Sequence, residues 1–97
     1  MNREYIIQSI KSIKPFLQEN GISTIGIFGS YSFSEATESS DIDILIDFEK
    51  NKETFSNFLT VCEALENLFP NKKTDIVTTK GLNKYIGPLI MNQVIYV

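Results

Sequence analysis

Two short apolar runs, "ISTIGIF" at residues 22–28 and "DIDILIDF" at 41–48, constrain this 97-residue chain more than anything else in it. Both are rich in isoleucine and too short for a typical helix, which is the signature of buried strands. The second run alternates strictly. Asp41, Asp43, Leu45 and Asp47 project to one side, and Ile42, Ile44, Ile46 and Phe48 to the other. Such a strand needs a covering layer on its apolar face and a reason for its acidic one. The first run closes on Gly29-Ser30, and "YSFSEATESS" separates that pair from Asp41. Two strand ends and one loop are therefore aimed at one small volume.

Amphipathic helices supply the covering layer. Ile6, Ile10, Ile13 and Leu17 form one helical stripe, with Pro15 predicting a kink or a restart and Gly21 a left-handed stop. Phe55, Phe58, Leu59, Cys62, Leu65 and Phe69 mark a second helix that Pro70 and Asn71 end. "KTDIVTT" reads as a third strand carrying Asp75. "LNKYIGPLIMNQVIYV" holds a short helix bent or started at Pro88, then an apolar tail that requires a groove or a partner. Docking on its own sheet and forming an oligomer interface both answer that need. The order helix, strand, loop, strand, helix, strand, helix predicts an α/β two-layer domain. One domain over residues 1–97 is expected, since a chain this short buries only roughly 60–70% of its unfolded surface. A deep, self-contained cleft for two substrates is not expected, so a partner must present one of them.

Composition removes several function classes. The chain has no histidine, which excludes histidine-based zinc sites and Ser-His-Asp triads. Its net charge is -3, and Lys72-Lys73 is its longest basic run, which argues against polymeric nucleic acid as the main ligand. A nucleotide is compatible, because a divalent cation supplies the missing positive charge. Cys62 is the only cysteine, reads as helix core and fits a reducing compartment. The first residues, "MNREYIIQSIKSIK", are too broken by charge for a signal peptide or a membrane span, so a cytoplasmic location is expected.

Aspartates two apart on a strand project from the same face about 6.5–7 Å apart along it, and their mutual repulsion has to be offset. A bound cation does so, and carboxylate oxygens are the ligands that Mg²⁺ selects. Asp75 offers a third carboxylate, as a general base or as a ligand of a second ion. Asp47 lies toward the far end of its strand and reads as a solvated strand end. Gly29 lets a backbone approach a ligand closely, and the N–H groups and hydroxyl that follow suit a phosphate. Tyr31 is open to two roles, stacking on a base or covering the loop. Gly-Ser alone and Asp-x-Asp alone are common. The ordered set of strand, Gly-Ser, spacer, Asp-x-Asp on a second strand and Asp on a third is specific.

In that set the chain resembles a minimal nucleotidyltransferase of the polymerase-β-like superfamily, through "IGIFGS", "SSDIDILI", "TDIV" and the closing "IGPLIMNQVIYV". The resemblance implies a small mixed sheet packed with helices. It implies Mg²⁺-dependent transfer of a nucleoside monophosphate, AMP from ATP as the family-level choice, to an acceptor hydroxyl. Gly29, Ser30 and Ser40 would then bind the nucleotide, and Asp41, Asp43 and Asp75 would be the catalytic carboxylates holding two metal ions. Small stand-alone members resemble antitoxins paired with a small helical HEPN-type ribonuclease toxin, some of which silence the toxin by attaching AMP to a tyrosine. The chain departs from the pattern after Gly-Ser. Many relatives continue with a basic run of the type R-A-R-G, where this chain has Tyr31-Ser32-Phe33-Ser34. Together with the acidic surface and apolar tail, that departure carries the alternative: a weak or silent antitoxin that neutralises its partner by contact.

Overall fold

The isoleucine stripe near the N-terminus folds as its spacing predicts. In the computed structural model, which describes Met1–Val97, helix α1 spans Arg3–Glu19 and buries Ile6, Ile10 and Leu17 completely. The Asn2 side chain caps it, accepting from the Tyr5 N–H at 2.8 Å. The helix runs through Pro15 without restarting. Pro15 and Lys11 are both exposed, so the turn that loses a helical hydrogen bond lies on the solvent side of α1. Gly21, at φ +96°, then turns the chain into β1 (Ile22–Phe28).

A 3₁₀ turn (Gly29–Tyr31) and a loop lead to β2 (Ile42–Phe48). Helix α2 (Phe55–Leu68) starts at Thr54, whose hydroxyl accepts from the Asn57 N–H at 3.1 Å. Strand β3 (Thr74–Thr78), a second 3₁₀ turn (Thr79–Gly81), α3 (Gly87–Gln93) and β4 (Ile95–Tyr96) complete the chain. Pro88 sits in the first turn of α3, where its missing N–H costs nothing.

The four strands form one mixed sheet in the order β3-β2-β1-β4. β2 runs antiparallel to β1 and parallel to β3, and α2 is the crossover that the parallel pair requires. Val61 and Leu65 of α2 join the α1 stripe, Ile25, Ile27, Ile42, Ile44, Ile46, Phe48 and Phe69 in one core. Helices α1 and α2 thus cover one face of the sheet, giving the expected two-layer α/β fold. Asp43 and Asp47 are half-buried, as alternation predicts, while Leu45 between them is buried but stands outside that core. Tyr31 is only 3% exposed and belongs to the core, so of its two expected roles it takes the one beneath the loop.

The apolar tail finds its groove on its own sheet. β4 pairs antiparallel with β1 (Gly26 with Tyr96, Ile27 with Ile95), and the Val97 N–H donates to the Ile25 carbonyl at 2.8 Å. Lys14 reaches from α1 to the Val97 carbonyl, also at 2.8 Å. Gly26 makes this seating possible. A β-carbon there would run into Val94 and lie 2.8 Å from the Ile95 carbonyl oxygen and 3.2 Å from the Tyr96 Cα. Two of those three neighbours are backbone atoms with no freedom to retreat. Gly26→Val should therefore displace β4 and cost about 1–3 kcal/mol, the usual range for overpacking. An unchanged urea midpoint, with Ile27 amide protection intact, would show that β4 does not need this glycine.

Candidate active site

The β1–β2 register puts Phe28 opposite Asp43, and the β2–β3 register puts Asp43 beside Asp75. In-register residues of neighbouring strands share a face about 4.8 Å apart. Gly29 follows Phe28 directly and has φ +72°, a left-handed conformation that closes the strand against the acid. A β-carbon on Gly29 would collide with the Asp43 carboxylate. Glycine is needed here twice over, for its backbone angle and for the space. Gly29, Asp43 and Asp75 thus form one row across three strands. Asp41 sits one residue before β2 and acts on Asp43 through its charge.

The row is electrostatically unfavourable. Burial, then Asp75, then Asp41 push the Asp43 carboxyl above the ordinary aspartate range. Lys73 offsets part of this from the edge, its ammonium 3.7 Å from Asp75, but both groups are well exposed and the pair is weak. The three carboxylates do not close on one point as a three-residue metal cage. Nor does the acidic row line a cavity. A concavity of about 440 Å³ lies elsewhere, between the start of α2 and the end of β3, lined by Phe55, Phe58, Ile76 and Val77 among others. The site is an open face, as the short chain predicts.

The loop that carries Ser30 and Ser40 is tied down from far along the chain. Its Gly29 carbonyl accepts from the Ser32 N–H at 3.0 Å and the Ser32 hydroxyl at 2.9 Å. Arg3 of α1 donates to the Ser32 carbonyl at 2.8 Å. Lys72 donates to the carbonyls of Glu38 and Ser40 and lies 5.9 Å from the Tyr31 ring centre, within cation–π reach. From α3, the Gln93 side-chain oxygen accepts from the Gly29 N–H at 3.2 Å. Ser30 follows Gly29 in the 3₁₀ turn and is half-buried. Ser40 does not join the row. Its hydroxyl accepts from the Thr37 N–H at 2.9 Å and closes the turn that delivers Asp41. Asp47 stands near the far end of β2, as expected, with its carboxylate accepting from the Phe48 N–H at 3.0 Å. Sequence reasoning missed Arg3, Lys72 and Gln93 because each meets the loop across some thirty residues or more. The one signal was Lys72 in the chain's single basic pair.

A two-layer mixed sheet that displays a glycine turn against paired aspartates defines a class of nucleotide-transferring domains. The family described as polymerase beta nucleotidyltransferase matches residues 11–96, and the chain belongs to it. It is therefore a nucleotidyltransferase. Over 96 residues it is 35% identical to the protein adenylyltransferase MntA of Thermococcus cleftensis, covering 94% of this chain and 95% of that one. A solved structure described as a minimal nucleotidyltransferase superposes with a TM-score of 0.83 at 27% identity, over 98% of this chain and 95% of its own. A crystal structure of a toxin–antitoxin with AMP-PNP shares the fold, with a TM-score of 0.58 at 21% identity over 99% of this chain and 72% of that one.

Two tests follow from this geometry. Asp43 has a folded pKa above its unfolded value, so its contribution to stability is complete below the unfolded pKa and is lost as pH rises through the folded one. Asp43→Asn should raise the unfolding temperature in EDTA at pH 7, by no more than a few degrees because the group is partly solvated, and the gain should vanish near pH 3. A lower unfolding temperature at pH 7 would contradict the proposed repulsion. Ser34, where relatives of the R-A-R-G type place glycine, has φ 61°. Ser34→Gly should relieve left-handed strain and stabilise the chain by up to about 1 kcal/mol, net of the entropy glycine adds to the unfolded state. A destabilised Ser34→Gly protein would show that the hydroxyl, not the backbone angle, governs that position.

Proposed function

We propose that residues 1–97 form one domain that transfers AMP from ATP to a hydroxyl of a partner protein, a tyrosine of a small helical HEPN-type toxin, and thereby acts as an antitoxin. The observation that carries this reading is the Gly29 turn, just past the end of β1, closed against the Asp43 carboxylate, with Asp43 in register beside Asp75 across β2 and β3. Family membership supports nucleotidyl transfer. The name of the Thermococcus cleftensis relative supports a protein acceptor, and the complex with AMP-PNP supports both an adenine nucleotide and a toxin partner.

The donor set fits Mg²⁺. All the candidate ligands are carboxylate oxygens, and after burial the charges of Asp75 and Asp41 raise the Asp43 pKa, which is repulsion a divalent cation would relieve. An ion that takes one or two carboxylates and completes its shell with phosphate oxygens needs no three-residue protein cage. When bound, two such ions would neutralise the triphosphate and the departing pyrophosphate.

In this reading the chain's own residues bind, orient and accept a proton. Asp41 and Asp43 would hold the ions. Gly29, lacking a side chain, lets the phosphates lie close to the turn, and the N–H and hydroxyl of Ser30 donate to them. Ser40 acts by shaping the loop before Asp41. The acceptor oxygen attacks the α-phosphorus, forming a new P–O bond as the bond to the bridging oxygen breaks and pyrophosphate leaves. Asp75 takes the proton of the attacking hydroxyl.

One observation favours the second reading, a silent antitoxin that works by contact. No arginine follows Gly-Ser, and the one arginine that reaches the loop, Arg3, donates there to the Ser32 carbonyl. ATP labelled at the α-phosphate, with Mg²⁺ and a HEPN-type toxin, separates the two. Wild type should label the toxin, and an Asp41→Asn/Asp43→Asn protein should lose at least about a hundredfold in rate, as removal of charge-stabilising groups does. A tight complex that carries no label with either protein would establish the contact mechanism instead.

A further inference from the structure

Gln93 lies 64 residues from the glycine it touches, on the last turn of α3. Its side-chain oxygen accepts the Gly29 N–H at 3.2 Å in a half-buried setting. This contact is anchored on both sides. Immediately after Gln93, residues 94–96 lie against Gly26, and β4 pairs with Gly26 and Ile27. Immediately after Gly29, the Gly29 carbonyl is engaged by Ser32 and by the Phe33 N–H at 3.3 Å. The peptide units flanking Gly29 are therefore fixed from opposite directions, the N–H by α3 and the carbonyl by the loop. Between them the glycine holds φ +72° with its Cα facing the Asp43 carboxylate.

We propose that Gln93 is a positioning residue for the nucleotide site: its oxygen fixes the Gly29 N–H and so sets how the N–H groups and hydroxyl after Gly29 face the phosphates across from Asp43. The inference rests on the nucleotidyl-transfer reading above. It also assigns the phosphate-binding duty within the turn. The Gly29 N–H is already taken, so donors to phosphate begin at Ser30. The C-terminal segment, which the sequence offered as a tail in need of a groove or a partner, becomes the rear support of the site.

The test uses the full chain with Gln93→Met, similar in length and volume but without an oxygen acceptor, and Gln93→Glu, which keeps one. Hydrogen exchange of the ¹⁵N-labelled proteins reads Gly29 directly. Calorimetry with a non-hydrolysable ATP analogue and Mg²⁺ reads the site, and steady-state kinetics separate KM from kcat. In Gln93→Met the Gly29 amide should exchange at least about tenfold faster. Analogue affinity should fall, and KM for ATP should rise, about fivefold, the weight of one hydrogen bond. kcat should stay within about twofold and the unfolding temperature close to wild type. Gln93→Glu should keep Gly29 protected. Unchanged Gly29 exchange and analogue affinity in Gln93→Met would overturn the proposal, as would equal loss of Gly29 protection in both variants. If Gln93→Met fails to fold, unprotected Gly29 in a folded Gln93→Glu overturns it. A wild-type protein that binds no analogue would refute the nucleotide reading itself, while the exchange data would still decide whether Gln93 orders the turn.

Discussion

The register between β1 and β2 is the constraint on which everything else in this molecule depends. Sliding β2 by one residue would turn Ile42, Ile44, Ile46 and Phe48 out of the core and Asp43 into it. The same register brings Gly29 against the Asp43 carboxylate and, through the parallel pairing with β3, sets Asp75 beside it. Burial of one face thus dictates the geometry of the other. The isoleucines stabilise an arrangement of like charges that has no stability of its own, since burial and both neighbouring aspartates disfavour an ionised Asp43. Such an arrangement is a fold strong enough on one side of a strand to hold repelling groups on the other, which is the condition the proposed cation site requires.

That coupling explains which features the sequence disclosed. Alternation in "DIDILIDF" displays the division of faces directly, because period-two patterning is a local property of strands. The two long helices are equally local, and the α1 stripe predicted its core residues. Of the predicted α2 stripe, Leu65 and Phe69 are buried, whereas Phe55 and Leu59 are exposed, Cys62 is only half-buried outside the core, and Val61 takes the buried position instead. Gly29 was legible because a left-handed turn at a strand end restricts residue choice. The remainder is non-local. Whether "NQVIYV" docks on β1 or on another molecule depends on the missing side chain of Gly26, nearly seventy residues away, and nothing in the tail itself reveals it. Tyr31 reads as a loop residue by its neighbours, yet it is buried because the loop folds back over the core. Pro15 was expected to interrupt α1. Its effect depends on whether its turn lies on the buried or the solvent side of α1, and both Pro15 and Lys11 are exposed.

The loop between the two motifs shows the limit most clearly. By composition it is a small, polar spacer. In the fold it is held by Arg3, Lys72 and Gln93, three long side chains that all donate to or accept from its backbone. Main-chain partners leave no trace in the loop's own sequence, because any residue presents the same carbonyl or N–H. The consequence reaches the chemistry. A basic residue after Gly-Ser would contribute charge at the phosphates, whereas here the basic residues that reach the loop contribute order to its far side.

Order and charge act at different points of a transfer reaction. A loop fixed before the nucleotide arrives reduces the conformational entropy lost on binding. It does nothing for charge that develops only as pyrophosphate departs, where fixed donors or cations at the reacting oxygens are required. In the proposed reaction the carboxylates are the groups on this chain placed to meet the second need, through the cations they would hold. On the proposed reading, nucleotide binding would rest on the turn and reaction on the acidic row, so the two functions should respond to separate substitutions: Gln93 on the binding side, Asp41 and Asp43 on the chemical side. In relatives with arginine after Gly-Ser, one side chain next to the phosphates is placed to serve both needs. Here the division of labour follows from where Arg3 and Lys72 end, on carbonyl oxygens of the loop.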